Sequence, residues 1–236
     1  MDTVYIENDA FNKVWLQLLA ESISRLFRHH ERVAAVAEMI ASEIGHPNPA
    51  ECYRAGLIHD VGRLPILALT EQPRHLTASE RGIVEMHSVL GAQIAGLHGM
   101  PDGVVSAVRH HHERWDGTGY PDGLRGEEIP LSARVLTVAD AVVTMMENRP
   151  YSGAKDLGEI VRELVQGSGA QFDPRIAEIA VGLVSSLRVH RRILDLTTQH
   201  VDAHFHAKEV GVCEQQSRGK REAGSASAIN GGASAR

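Results

Sequence analysis

Histidines and aspartates interrupt apolar stretches of this sequence at several positions. His59 and Asp60 directly follow the apolar residues 55–58 and precede Val61, and Asp140 lies between Val138 and Val142. An ionised aspartate in such surroundings is costly to bury unless it is paired with a cation or bound to a metal. These positions are therefore candidates for a metal site inside the fold.

Further imidazoles lie near helix ends or on helix faces, at His87 and at the pair His111–His112. Imidazole and carboxylate ligands together suit borderline divalent metals, and a carboxylate can bridge two ions. The donors exceed what one tetrahedral zinc site uses, and Cys52 and Cys213 are too far apart in sequence to suggest a thiolate cluster. The residues therefore favour two divalent transition-metal ions, with iron or manganese more natural than structural zinc. The plainer alternatives are that His59–Asp60 is a chance dipeptide and that Asp140 pairs with an arginine.

The elements that must position these side chains are predicted to be helices. Helical periodicity covers seven segments, and no segment alternates convincingly with the period of a strand. The segments are 11–44, 49–57, 77–98, 101–112, 131–146, 157–165 and 174–196. Thr77 and Glu80 form a predicted capping box. The glycine- and proline-rich residues 113–130 predict a long ordered loop. The fold class is therefore all-α.

Composition limits the classes of partner. The 236 residues carry a net charge of −6, which argues against duplex nucleic acid. No run approaches the length that spans a bilayer and no secretory signal is visible, so the cytoplasm is the expected location. Residues 1–24 are predicted as an N-terminal helical segment whose apolar stripe packs into the core or forms a homodimer contact. Residues 25–200 are the predicted domain, and residues 201–236 are a predicted disordered tail.

Several motifs resemble one family, the HD-GYP subgroup of the HD phosphohydrolase superfamily. The residues that carry the resemblance are AGLIHDVGR at 55–63, HHERWDGTGYP at 111–121, the segment 122–134, Asp140, RPY at 149–151 and QFDP at 171–174. The resemblance covers roughly residues 25–185. It implies a compact HD-type helical bundle with a dinuclear metal centre. It also implies metal-dependent hydrolysis of cyclic di-GMP, or a related cyclic dinucleotide, to pGpG and/or GMP.

The resemblance also assigns roles to individual positions. The implied metal ligands are His29, His59, Asp60, His87, His111, His112 and Asp140. Asp60 is the implied bridging carboxylate, His30 competes with His29 for the first ligand position, and His110 stays unassigned. Asp60 and Arg63 are the implied catalytic residues. The implied substrate-binding residues are Arg63, Gly119, Tyr120, Pro121 and Arg149.

Four positions depart from the family pattern and keep other functions open. Arg63 replaces a lysine, Arg25 a glutamate, Val143 an aspartate and Ser152 a basic residue. Without the glutamate, two ions rather than three are expected. The departures favour, as one alternative, a weak or inactive protein that senses the nucleotide or binds a GGDEF-type signalling protein through the GYP loop. A second alternative is the broader HD class that acts on nucleoside phosphates.

Overall fold

The computed structural model describes residues 9–70, 74–147, 155–193 and 196. The described residues up to Ile193 belong to one compact unit. Its α-helices are α1 (Asp9–Ile44), α2 (Pro49–Ile58), α3 (Leu67–Thr70), α4 (Ala78–Glu85), α5 (His87–Leu97), α6 (Asp102–His110), α7 (Leu131–Met146), α8 (Leu157–Gly167) and α9 (Pro174–Ser185). Short 3-10 helices span Val61–Ile66 and Gly126–Glu128.

The all-α prediction is confirmed, since the described ranges contain helices and only an isolated bridge between Ser168 and Phe172 instead of a strand. The capping box at Thr77 is also confirmed. Two predicted helices are each interrupted by a turn. The segment 77–98 is divided at Met86, and in the segment 174–196 the helix ends at Ser185 and resumes at residues 188–193. Helical periodicity extends across both turns and so could not locate them.

The core is built from aliphatic side chains of the long helices. α1 packs against α2 and α7, while α8 and α9 pack against each other and against α7. Val33, Ile40, Leu136 and Ile160 are fully buried in this core. α1 runs without interruption across the predicted boundary at residue 25. Within the described residues, no helix combines the length and the apolar character that a membrane crossing requires.

Gly62 allows the segment after α2 to lie directly against α5. A Cβ atom at this position would collide with the carbonyl oxygen of His87 and would lie 2.7 Å from the amide nitrogen of Gly91. Only glycine therefore permits this approach. The contact brings Asp60 and Arg63, on either side of Gly62, next to the start of α5.

The loop between α6 and α7 is held to the connection between α8 and α9. The amide of Trp115 donates to the Gln171 carbonyl (3.3 Å), and the amide of Asp116 donates to the Ala170 carbonyl (2.9 Å). On α7, Arg134 donates to Asp173, which caps the N-terminus of α9. The QFDP segment thus joins the loop to the helices beneath it.

Candidate metal centre

Three of the predicted ligand histidines lie at the ends of helices and are oriented in the same way. In each, the ring Nδ1 hydrogen-bonds to a carbonyl oxygen three residues earlier, in the last turn of α2, α4 or α6. The pairs are His59 with Gly56 (2.9 Å), His87 with Val84, and His111 with Val108 (2.7 Å). Helix ends leave such carbonyls without partners inside the helix. A ring that donates from Nδ1 to a carbonyl keeps an electron pair on Nε2.

A first group of possible ligands consists of Asp60, His87, His111 and His112, whose ligand atoms all lie within 4.8 Å of one another. Asp60 Oδ1 lies 3.0 Å from His87 Nε2 and 3.7 Å from His111 Nε2. His112 Nε2 lies 3.1 Å from His87 Nε2. Three imidazole nitrogens and one carboxylate oxygen therefore converge on one point.

A second group consists of His29, His59 and Asp140, within the same limit of 4.8 Å. His29 Nε2 lies 3.1 Å from Asp140 Oδ1, and His29 Nδ1 lies 3.0 Å from Glu147 Oε2. Glu147 also accepts from Arg32 at 3.0 Å. Glu147 was not predicted, although it follows Asp140 by seven residues and so lies on the same face of α7.

The two groups adjoin through consecutive residues, since His59 Nε2 lies 3.6 Å from Asp60 Oδ2. A third group of possible ligands, His30 with His59 and Asp60, overlaps both. Within the described part of the chain, His59 Nε2, His111 Nε2 and Asp60 Oδ1 are buried without a hydrogen-bond partner. His87 Nε2, 3.0 Å from Oδ1, presents an electron pair and not a hydrogen, because its Nδ1 donates to Val84. Buried polar atoms of this kind cost free energy unless something binds them. The donor set fits two divalent ions.

Burial and neighbouring charges put Asp60, His59 and His112 in the ionisation states that a metal needs. Burial lowers the pKa of His59 to about 3 and also holds the pKa of His112 well below its usual range. Burial alone would raise the pKa of Asp60. His59, Arg63 and other neighbouring side chains together lower this pKa by more than burial raises it, so the net shift is downward. Burial opposes a charged His29, yet hydrogen bonds to carboxylates raise its pKa to about 9. The Asp60 carboxylate is thus ionised, and His59 and His112 are neutral, whereas His29 is protonated between its carboxylates and must lose a proton to bind a metal.

Arg63 contacts a predicted metal ligand. Its Nη1 donates to Asp60 Oδ2 at 2.7 Å, and its side chain is 32% exposed. The guanidinium also lines the cavity above the histidines. Arg63 is therefore placed to orient the Asp60 carboxylate while it faces whatever enters the cavity.

A cavity of about 720 Å³ opens over the first ligand group, within the range of roughly 300–1,000 Å³ that small ligands occupy. Asp60, His111, His112 and Asp140 contribute to its lining. Cations and loop residues line it as well: Arg63, Arg114, Lys155, Gly119 and Tyr120. The cavity can thus hold an anion next to the possible metal ligands.

The loop residues that line this cavity are held tightly. The Tyr120 ring stacks on His112, with centroids 4.8 Å apart and planes inclined by 27°. A Cβ atom at Gly119 would lie 2.6 Å from both Glu113 Cα and the His112 carbonyl oxygen. Pro121 follows Tyr120 through a cis peptide bond and does not line the cavity within the described residues.

Glu113 and His110 anchor the loop, and neither role was predicted. Glu113 is fully buried, and its Oε1 accepts from the amides of Asp122 (2.7 Å) and Gly123 (3.0 Å). His110 Nε2 lies 2.9 Å from the Asp122 carboxylate, which also receives two hydrogen bonds from Arg109. The sequence offered one signal for the role of Glu113, namely an acidic residue directly after the histidine pair His111–His112.

Two of the remaining departures, Val143 and Arg25, lie within the described residues. Val143 is fully buried in the hydrophobic core. Arg25 is exposed on α1 and donates to Ser22 at 3.0 Å. Arg149 and Ser152 lie outside the described residues, as does the predicted tail.

Comparisons with known proteins identify relatives of the whole helical unit. The HD domain family matches residues 13–176. A cyclic di-GMP phosphodiesterase of Thermotoga maritima is 35% identical over 190 residues, which cover 78% of this chain and 52% of the relative. A 3'3'-cGAMP-specific phosphodiesterase of Vibrio cholerae is 31% identical over 149 residues, which cover 62% of this chain and 32% of the relative. The chain thus spans about half the length, or less, of these curated relatives.

Solved structures share the fold at low sequence identity. A cyclic GMP-AMP-specific phosphodiesterase of V. cholerae superposes with a TM-score of 0.56 at 18% identity, over 72% of this chain and 47% of the other. The HD domain of the Listeria monocytogenes phosphodiesterase PgpH, solved with cyclic di-AMP, superposes with a TM-score of 0.51 at 18% identity, over 72% and 94%. From its family match and its motifs, the chain belongs to the HD domain family, as a member with the HD-GYP sequence pattern.

Proposed function

We propose that this chain is a metal-dependent phosphodiesterase that hydrolyses a cyclic dinucleotide, with cyclic di-GMP the first substrate to test. The observation that carries the proposal is the placement of two adjoining ligand groups at a cavity lined by cations. The names of the relatives give the substrate class. Cytoplasmic location, a homodimer and a GGDEF-type partner remain predictions.

The proposed metal ligands are His29, His59, Asp60, His87, His111, His112 and Asp140, with iron or manganese as the proposed ions. Divalent ions supply Lewis acidity toward a phosphate and activate water for attack. Asp60 joins the two groups and is the proposed bridging carboxylate. Glu147 orients the His29 ring from the side opposite Asp140.

Residues around the ligands would bind and orient the substrate. Arg63 donates to Asp60 and faces the cavity, so it can fix that carboxylate and contact a phosphate oxygen through a charge-assisted hydrogen bond. Tyr120, stacked on His112, presents its ring as a wall for a base. Gly119 lets the loop backbone approach closely. Arg149 is a further proposed phosphate-binding residue.

A time course of hydrolysis tests the proposal. Protein loaded with Mn²⁺ or Fe²⁺ is incubated with cyclic di-GMP, cyclic GMP-AMP or cyclic di-AMP, and products are separated by chromatography. We expect pGpG and GMP from cyclic di-GMP, and we expect His59→Ala to form neither. An inert wild-type protein, in an assay where a known phosphodiesterase works, would refute the proposal.

The alternative is a catalytically weak or inactive protein that senses the nucleotide. The pairing of Arg63 with Asp60 favours it, because a guanidinium bound to this carboxylate competes with an ion for the same oxygen. Calorimetry run alongside the chromatography separates the two functions. Tight binding of cyclic di-GMP without product would favour the sensor.

A further inference from the structure

His30 is a buried imidazole that the proposed ligand set leaves out. It follows His29 on α1 and is only 6% exposed. Its Nε2 is buried and, within the described ranges, has no hydrogen-bond partner. Leaving a buried polar atom unsatisfied destabilises the folded state, so a nitrogen in this position calls for a partner.

The surroundings of His30 are those of a metal ligand. Its ring centroid lies 4.8 Å from that of His59. One ligand atom each from His30, His59 and Asp60 lie within 4.8 Å of one another. His59 Nε2 and Asp60 Oδ1 also lack hydrogen-bond partners among the described residues. One cation could bind a ligand atom of each residue at once. His59 Nε2 has no hydrogen to donate to His30, because its Nδ1 donates to the Gly56 carbonyl.

We propose that His30 is a further metal ligand, bound to the same ion as His59. The inference rests on the proposed metal centre and adds one nitrogen donor to it. His29 and His30 are consecutive residues of one helix, and both rings lie near His59, at centroid distances of 5.5 Å and 4.8 Å. α1 would then supply two imidazoles to one ion.

This extra nitrogen bears on the choice of metal. Imidazole ligands favour transition metals, whereas Mg²⁺ prefers oxygen ligands and keeps much of its water. His30 would therefore strengthen binding of Mn²⁺, Fe²⁺ or Co²⁺ and would contribute little to binding of Mg²⁺.

Metal titration of metal-free protein tests the assignment without using hydrolysis as the measurement. We compare wild type, His30→Asn and the matched control His98→Asn, whose histidine is exposed at the end of α5. Calorimetry with Mn²⁺ should give at least roughly tenfold weaker binding for His30→Asn, because even outer partners of metal ligands commonly contribute that much. The control and the Mg²⁺ titrations should remain near wild type. The visible absorption of bound Co²⁺ should also change in His30→Asn alone.

A folded His30→Asn protein with wild-type Mn²⁺ affinity and Co²⁺ absorption would overturn the assignment and leave the proposed phosphodiesterase intact. If wild type binds Mn²⁺ through His30 but cleaves no cyclic dinucleotide, the His30 assignment stands and the proposed phosphodiesterase function is refuted. Unmodified protein provides a measurement that does not depend on the variant's folding. In Zn²⁺-soaked crystals, the anomalous peak bound to His59 should lie about 2.0–2.1 Å from a His30 ring nitrogen. A His59-bound peak out of reach of that ring would also overturn the assignment.

Discussion

Among single residues, Asp60 combines burial of a charge with several close polar contacts. Its carboxylate contacts or faces three histidines and Arg63 while it is almost fully buried. Removing one partner of a buried charge network is strongly destabilising when the other charges have nothing else to bind. The same position makes Asp60 the only residue shared by the first and third ligand groups.

We expect Asp60→Asn to weaken binding of Mn²⁺ at least roughly tenfold and to abolish hydrolysis, because the neutral amide is a poor metal ligand. Calorimetry and the product assay measure the two effects. Asp102→Asn is the matched control, since Asp102 is exposed in the first turn of α6. Near-normal metal binding and turnover in Asp60→Asn would contradict its assignment as the bridging ligand.

At the scale of elements, the loop before α7 depends on Glu113. This buried carboxylate accepts two backbone amides, at Asp122 and Gly123, and such charge-assisted hydrogen bonds contribute about 1.5–3 kcal/mol each. We expect Glu113→Ala to increase local opening of the loop by roughly thirtyfold or more, because about 2 kcal/mol of anchoring is lost. Limited trypsin digestion, followed by mass spectrometry of cleavage after the exposed Arg125, measures this opening.

The control for the loop is Glu127→Ala, an exposed position in the short 3-10 helix. It should leave the cleavage rate and the KM for cyclic di-GMP unchanged, whereas Glu113→Ala should raise both and keep metal affinity. Equal cleavage rates in the two variants would show that Glu113 does not anchor the loop.

Sequence patterns predicted the helices and singled out imidazoles and carboxylates that the structure places close together, because polar residues inside apolar helices are exceptional and local. The patterns could not predict contacts between distant segments. His29 meets Glu147 across 118 positions of the chain. Whether Val143 faces the core or the site depends on how α7 packs, which helical periodicity alone does not determine. The burial of His30 depends in the same way on the packing of α1 against α2.

At the scale of the whole molecule, the proposed ligands come from α1, from the ends of α2 and α6, from the start of α5, and from α7. Bound ions would therefore cross-link most of the bundle. At a metal concentration about 100 times Kd, binding adds about 2.7 kcal/mol to the stability of a folded protein.

We expect chelation to lower the Tm by roughly 5–10 °C, since about 1 kcal/mol corresponds to 2–4 °C in a chain of this size. Differential scanning calorimetry with and without EDTA measures the shift. Asp60→Asn, with binding at least roughly tenfold weaker, should lose about half of this shift or more. An equal shift in that variant would place the stabilising ions elsewhere.

The three ring Nδ1 contacts to carbonyls at the ends of α2, α4 and α6 have a consequence for local fluctuations. The last turn of a helix normally frays, and here fraying would also release the ring that points at the ion. Opening of the last helical turn and loss of the ring's orientation toward the ion are thus the same equilibrium. Metal binding should slow amide hydrogen exchange in the final turn of all three helices together, in proportion to its affinity.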